Sequence, residues 1–322
     1  MKQIQLAGTE LRVAPLGLGT ANFGTSLPEA EAKRQMDRFV ELGNLIDTAH
    51  VYGDWVSGET ARSERIIGRW LKAHGGRDRM IISTKGAHPL METMQVSRVT
   101  PQEIVRDLDE SLVCLQTDYI DMYFLHRDNP ALPAGEILEC LEAQRRAGKI
   151  RYYGCSNWKL PRIQEAKAYA DAHGLQGFTC NQLMWSLAEI NFDGLSDKSF
   201  VLMDAPTYAY HRENAMSAMA YMSVANGYFP HRRQGDALKD SVRAVYGTPE
   251  NDRIFNELCT LEESFGLSMM QLSLLYFAAQ PFDAVPLASY RTEAQLEEGL
   301  SVLTCNAPQE ALEALRGLRK DL

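Results

Sequence analysis

Asp47, Tyr52, Lys85 and His126 bring a carboxylate, a phenol, an ammonium and an imidazole into the first 126 residues. A phenol ionises near pH ~10 in solution and is a poor proton donor or base at neutral pH on its own. A lysine within hydrogen-bond reach stabilises the phenolate and lowers that pKa, and a carboxylate beside the lysine holds it in place. An imidazole nearby can donate a hydrogen bond to a substrate oxygen. Such a set suits a proton-coupled reaction at a carbonyl. Taken singly, each residue is ordinary: a strand-end Asp or Lys is usually a structural ion pair, and a lone His is usually satisfied core. Their occurrence on consecutive strand ends is what gives them weight.

The elements that must position them follow a βα alternation. Apolar runs near residues 16–19, 44–47, 80–85, 119–125, 150–155, 177–181, 216–221 and 284–287 are eight strand candidates. Helical patterns lie between them, over 29–42, 61–73, 101–115, 133–147 and 160–173, and several end at glycine (Gly43, Gly148, Gly174). Residues 3–14 read as a hairpin around Ala7, Gly8 and Thr9. Eight such units in one chain predict an α/β fold, a (β/α)8 TIM barrel preceded by a β-hairpin, forming one domain over residues 1–322. The C-terminal strand ends of such a barrel meet at one mouth, where its chemistry is done. The alternation breaks after strands six and seven, at 183–203 and 222–250, which predicts long loops, the second with a helix over 236–245.

Composition narrows the partners. Hydrophobic residues at 45% suffice for a large core, and a formal net charge of −9 disfavours nucleic acid or an anionic membrane surface. No run approaches the roughly 20 apolar residues of a membrane span, and the N-terminus alternates polar and apolar residues instead of forming a signal-peptide core. The six cysteines are scattered without a CxxC pair, as expected of reduced thiols in a cytoplasm. Cys155, near the expected mouth, reads as a small buried hydrophobe.

The motifs around the four residues are specific. Asp47-Thr-Ala-His-Val-Tyr52-Gly53, Ser63-Glu64 with Gly68, Ser83-Thr84-Lys85, Leu125-His126, Gly154-Cys-Ser156-Asn157 and Asn181-Gln182 occur in that order. Together they resemble the signature of the aldo-keto reductase superfamily over nearly the whole chain. The resemblance implies a barrel that binds a nicotinamide cofactor without a Rossmann domain and reduces aldehydes or ketones. Tyr52 would be the proton donor, Lys85 and Asp47 would tune it, and His126 would orient the carbonyl.

It also implies cofactor contacts. Ser156, Asn157 and Gln182 match the positions that hold the nicotinamide carboxamide, Tyr221 the ring that stacks on the nicotinamide, and Thr20 a contact at the first strand end. The chain departs from the pattern where Met222-Ser223 replaces Ser-Pro, leaving Ser223 for the pyrophosphate. It departs again where Ala288-Ser289 replaces Pro-Gly. Arg291 falls where the family places the base that contacts the 2′-phosphate of NADP, Ser289 and Tyr290 would add hydroxyl contacts, and Gln295 and Glu298 match positions that face the adenine. Gly299 stands where an asparagine is usual. Arg291, whose guanidinium suits a phosphate monoester, makes NADP (NADPH) the expected cofactor over NAD.

Other readings carry less. Gly17-Leu-Gly19 lacks the third glycine of a dinucleotide fingerprint. Asp47, His50 and His126 lack the further His or Cys of a metal site. Lys85 as a Schiff-base lysine is opposed by the carboxylate beside it. A nicotinamide-binding regulatory subunit with little turnover is the alternative of a different class. Phe23, Trp55, Trp158 and Trp185 follow strand ends and either line the mouth or pack loops down. Arg127 and Asp128 either reach the pocket or anchor the loop after strand four. An aromatic wall with few charges suits a small neutral carbonyl compound or a sugar ring.

Overall fold

The computed structural model describes residues 3–322. The chain opens with β1 (Ile4–Gln5) and β2 (Arg12–Val13), an antiparallel pair joined through Gly8 in the left-handed region at φ 69°. Then follow β3 (Gly17–Gly19), β4 (Leu45–Asp47), β5 (Ile81–Gly86), β6 (Ile120–Leu125), β7 (Ile150–Ser156), β8 (Cys180–Met184), β9 (Ser217–Tyr221) and β10 (Ala284–Ala288). These eight close into a parallel barrel in chain order, with β10 paired to β3. This is the (β/α)8 TIM barrel with an N-terminal hairpin that the alternation predicts.

Helices α1 (Glu29–Phe39), α2 (Arg62–His74), α3 (Pro101–Leu115), α4 (Ala134–Arg146) and α5 (Leu160–His173) lie within about three residues of the predicted bounds. Beyond them come α6 (Ala205–Asn214), α7 (Tyr228–Gln234), α8 (Asp240–Tyr246), α9 (Pro249–Phe265), α10 (Met269–Ala278), α11 (Glu293–Thr304) and α12 (Gln309–Arg316). The segment expected as one helix within a loop after strand seven thus contains α7 as well as α8.

Two-residue periodicity explains how the barrel is filled. Leu45, Ile81, Met122, Phe124, Cys180, Met219, Val285 and Leu287 form one interior cluster, closed below by Leu6, Leu11 and Val13 of the hairpin. Two residues further along the same faces stand Asp47, Ser83 and Gln182, and Lys85 and His126 follow on theirs. The polar layer is therefore the top storey of an apolar stack. Cα pairing sets its level: Asp47 lies opposite Ser83, and Ser156 opposite Gln182. The alternate residues, among them Ile46, Ile82, Leu125, Cys155 and Leu183, face the helices in the larger core.

Candidate active site

Lys85 is 1% exposed, and its ammonium donates to Asp47 Oδ2 at 2.7 Å, the Thr48 carbonyl at 2.6 Å and the Tyr52 hydroxyl oxygen at 3.4 Å. An ammonium has three donors, so all are committed. Asp47 Oδ1 accepts from Ser83 Oγ at 2.6 Å and from Gln182 Nε2 at 2.9 Å, tying the carboxylate to both sides of the barrel. Burial pushes the Lys85 amine down, but Asp47 and Tyr52 together outweigh it, so its pKa is raised and the ammonium persists. A charged, threefold-bonded lysine has no lone pair for Schiff-base attack.

The Tyr52 phenol differs from expectation. Lys85 does pull its pKa down, but burial pushes it up by more, and the net direction is upward. Tyr52 is therefore a protonated phenol at neutral pH, held by a cation that would steady the phenolate once the proton leaves. His126 sits edge-on to Tyr52, with ring centroids 5.9 Å apart. Burial, aided by the positive field of Arg127 and Lys85, holds His126 well below the ordinary imidazole range. It is neutral at neutral pH.

A second imidazole, His88, stands 4.7 Å from His126 and donates from Nδ1 to the Pro89 carbonyl at 2.7 Å. Burial lowers its pKa to about 4, so it is neutral as well. The sequence offers no spacing signal for His88. It reaches His126 because Ala87 turns the chain at φ 57° directly after β5.

The residues expected at the cofactor divide into three groups. Ser156, Asn157, Gln182 and Tyr221 meet at the ends of β7, β8 and β9: the Tyr221 hydroxyl donates to Asn157 Oδ1 at 2.6 Å, and Asn157 Nδ2 donates to Ser156 Oγ at 3.1 Å. Thr20 and Ser223 are buried with their hydroxyls committed, Thr20 to the Asp47 carbonyl at 2.9 Å and Ser223 to the Leu287 carbonyl at 2.8 Å. Both brace strand ends. Ser289, Arg291, Gln295 and Glu298 gather around the start of α11, where Gln295 Oε1 accepts from the Arg291 backbone and Glu298 accepts from Ser268.

Gly299 has a local reason for lacking a side chain. A Cβ there would lie 2.2 Å from the Tyr290 hydroxyl, so the buried Tyr290 ring fills that space. The departure at Gly299 is thus matched to the Tyr290 ring.

At the mouth, Phe23, Trp158 and Trp185 are buried and pack loops down, Trp158 through a bond to the Arg127 carbonyl and Trp185 against Tyr276, Phe277 and Phe282. Trp55 alone of the four stays open, 48% exposed and edge-on to Tyr52 at 6.2 Å. Arg127 anchors the loop after β8 through Asp197 at 3.2 Å and Ser199 at 3.1 Å, and Asp128 pairs with Arg162. Among the described residues nine large hydrophobic side chains are exposed, and six of them (Trp55, Val56, Leu90, Met91, Met94 and Val96) belong to the loops after β4 and β5. Those loops share a cavity of about 180 Å³ beside the mouth.

His50 takes no part in a metal cluster, and none is formed among the described residues. Its ring bridges Glu64 and Glu110, each at 3.1 Å, while Thr84 donates to the other oxygen of buried Glu64. Burial alone would push His50 down, but Glu64, with Asp107 and Glu110, outweighs it and raises the pKa to about 9. The folded pKa thus lies above an unfolded value near ~6.5, so this stabilisation is complete below pH ~6.5 and fades as pH rises towards 9. Urea unfolding should lose at most about 3 kcal/mol over that window. His50→Gln should flatten the dependence; an unchanged slope would show that the imidazolium does not carry it.

The model of the Aldo/keto reductase family matches residues 15–320. An uncharacterized oxidoreductase, YrpG of Bacillus subtilis, is 30% identical over 99% of this chain and 96% of its own length. Aldo-keto reductase YhdN of the same organism is 27% identical over 94% of this chain and 89% of its own. Among solved structures, aldo-keto reductase AKR11C1 from Bacillus halodurans in its holo form superposes with a TM-score of 0.74 at 25% identity, covering 100% of this chain and 97% of that one.

Proposed function

The chain belongs to the aldo/keto reductase family, oxidoreductases acting on carbonyls, and on that premise we propose that it reduces an aromatic aldehyde or ketone with NADPH, Tyr52 giving the proton. The observation that carries this reading is the state of the Tyr52 phenol: half-buried, protonated, and 3.4 Å from an ammonium that Asp47 helps to keep charged. NADPH, when bound, would supply the hydride. As the carbonyl oxygen gains electron density, Tyr52 transfers its proton to that oxygen, and Lys85 stabilises the phenolate left behind. Neutral His126 orients the same oxygen by hydrogen bonding.

The cofactor residues fit such a group. Ser156, Asn157 and Gln182 form a polar corner one strand-width from Tyr221, at the level of Asp47. At the other end, exposed Arg291 makes no ion pair among the described residues, so its guanidinium is available to a phosphate monoester. Arg291→Ala should therefore lower kcat/KM for NADPH by about ten- to hundredfold, the worth of one charge-assisted contact, and leave NADH nearly unaffected. Steady-state kinetics with both cofactors would check this, and equal kcat/KM values in the unaltered enzyme would contradict it.

Substrate class follows from the rim. A sugar ring needs donors and acceptors around its hydroxyls, whereas the loops after β4 and β5 expose Trp55, Val56, Leu90, Met91, Met94 and Val96. An aromatic body would bury against such side chains.

A further inference from the structure

His126 has to aim a hydrogen bond, yet among the described residues no polar group holds its ring. Nδ1 is buried without a hydrogen-bond partner, so a carbonyl compound can meet only Nε2. The backbone is anchored, its N–H donating to the Gly86 carbonyl at 3.0 Å, but rotation about the side-chain bonds stays open. Packing locates the ring instead. Tyr52 stands edge-on at 5.9 Å and His88 edge-on at 4.7 Å, with interplanar angles of 74° and 62°.

Of these two neighbours Tyr52 is half-buried at the mouth, whereas His88 is buried and heavily braced. Its Nδ1 donates to the Pro89 carbonyl at 2.7 Å, and its own carbonyl accepts from Arg98 Nη1 at 2.8 Å. The preceding Ala87 N–H donates to Asp107 Oδ2 at 2.8 Å, and Asp107, 1% exposed on α3, also pairs with Arg98. Arg98 Nε reaches Glu103 on the same helix at 2.6 Å. Gly86 leaves room for this arrangement, since a Cβ there would overlap the Tyr123 hydroxyl. A buried ion pair seldom repays its own desolvation, and the φ of 57° at Ala87 strains an alanine. Neither feature is explained by stability, and both set the place of His88.

We propose that His88 is a positioning residue for carbonyl reduction, whose ring edge fixes the His126 imidazole so that Nε2 meets the substrate oxygen. The assignment rests on the reductase reading above. His88 acts by shape. Its one hydrogen is spent on the Pro89 carbonyl, and burial keeps it neutral, so it offers His126 neither an N–H nor a charge. Without that edge the His126 ring can swing towards the cavity of about 180 Å³ that His88 lines, and Nε2 leaves the oxygen that Tyr52 protonates. A misplacement of about 1 Å can cost on the order of a hundredfold in rate.

The test is a double-mutant cycle with NADPH and benzaldehyde, read in kcat and in the Kd for NADPH. His88→Ala should lower kcat by about tenfold or more and leave the Kd within about twofold of the unaltered chain. His88→Phe, which keeps a ring edge but has no nitrogen, should recover kcat to within about threefold. In a His126→Ala background there is no imidazole left to place, and His88→Ala should then change kcat by less than about twofold.

Additive losses from the two substitutions would overturn the assignment, because a general loosening of the loop after β5 acts with or without His126. So would an unchanged kcat in His88→Ala, or a His88→Phe variant as slow as His88→Ala. Absence of NADPH oxidation by the unaltered chain with benzaldehyde or any other aromatic aldehyde or ketone would instead remove the reductase reading, and this assignment with it.

Discussion

Tyr52→Phe is expected to lower kcat for carbonyl reduction by about a thousandfold, within the range a general acid contributes. The substitution removes one oxygen and keeps the ring, so the edge contacts to Trp55 and His126 persist and NADPH affinity should change by less than about twofold. The neighbours are poor replacements: His126 and His88 are neutral, and Lys85 keeps two of its three hydrogens on Asp47 and the Thr48 carbonyl, where its raised pKa holds the proton. Single-turnover kinetics with bound NADPH isolate the step. A variant retaining more than about a tenth of kcat would identify some other donor.

Asp47→Ala should produce the largest loss of stability, about 3–5 kcal/mol, because it strands a buried ammonium without its counter-charge. Burial already pushes the Lys85 pKa down; without Asp47, that push is opposed mainly by Tyr52. The lysine should deprotonate, and phenolate stabilisation should go with it. Asp47→Ala/Lys85→Met should recover much of the stability, since removing both charges leaves nothing unpaired, yet turnover should stay abolished. Chemical unfolding of both variants measures the first effect, and NADPH consumption the second. Equal instability of the single and double variants would mean that the pair is not what the fold needs at that position.

The polar layer at the barrel mouth was legible in sequence because barrel strands write it in a two-residue code. Leu45 and Asp47, or Ile81, Ser83 and Lys85, share one face, and the apolar members announce the strand that ends in the polar one. The sixth barrel strand was harder. Its expected span, 177–181, begins three residues early, because apolar Phe178 extends the run although Gly177 turns at φ 72° and pairing starts at Cys180. Helix α7 is seven residues between two left-handed glycines, too short for periodicity to reveal.

Burial was the larger gap. Trp55, Trp158 and Trp185 look alike beside strand ends, and only tertiary packing separates the open one from the two that pin loops. The same blindness affected Tyr52, where the lysine was visible but the desolvation that outweighs it was not. The bond between Asn157 and Tyr221 was hidden as well, since the two lie 64 residues apart.

The most direct test is to give the enzyme deuterated NADPH with an aromatic aldehyde and follow both products. The mechanism at Tyr52 predicts one NADPH oxidised per alcohol formed, with deuterium appearing on the carbinol carbon. Tight NADPH binding with no consumption over aromatic aldehydes, keto-sugars and ketosteroids would contradict it, and would mark the chain as a nicotinamide-binding subunit without turnover.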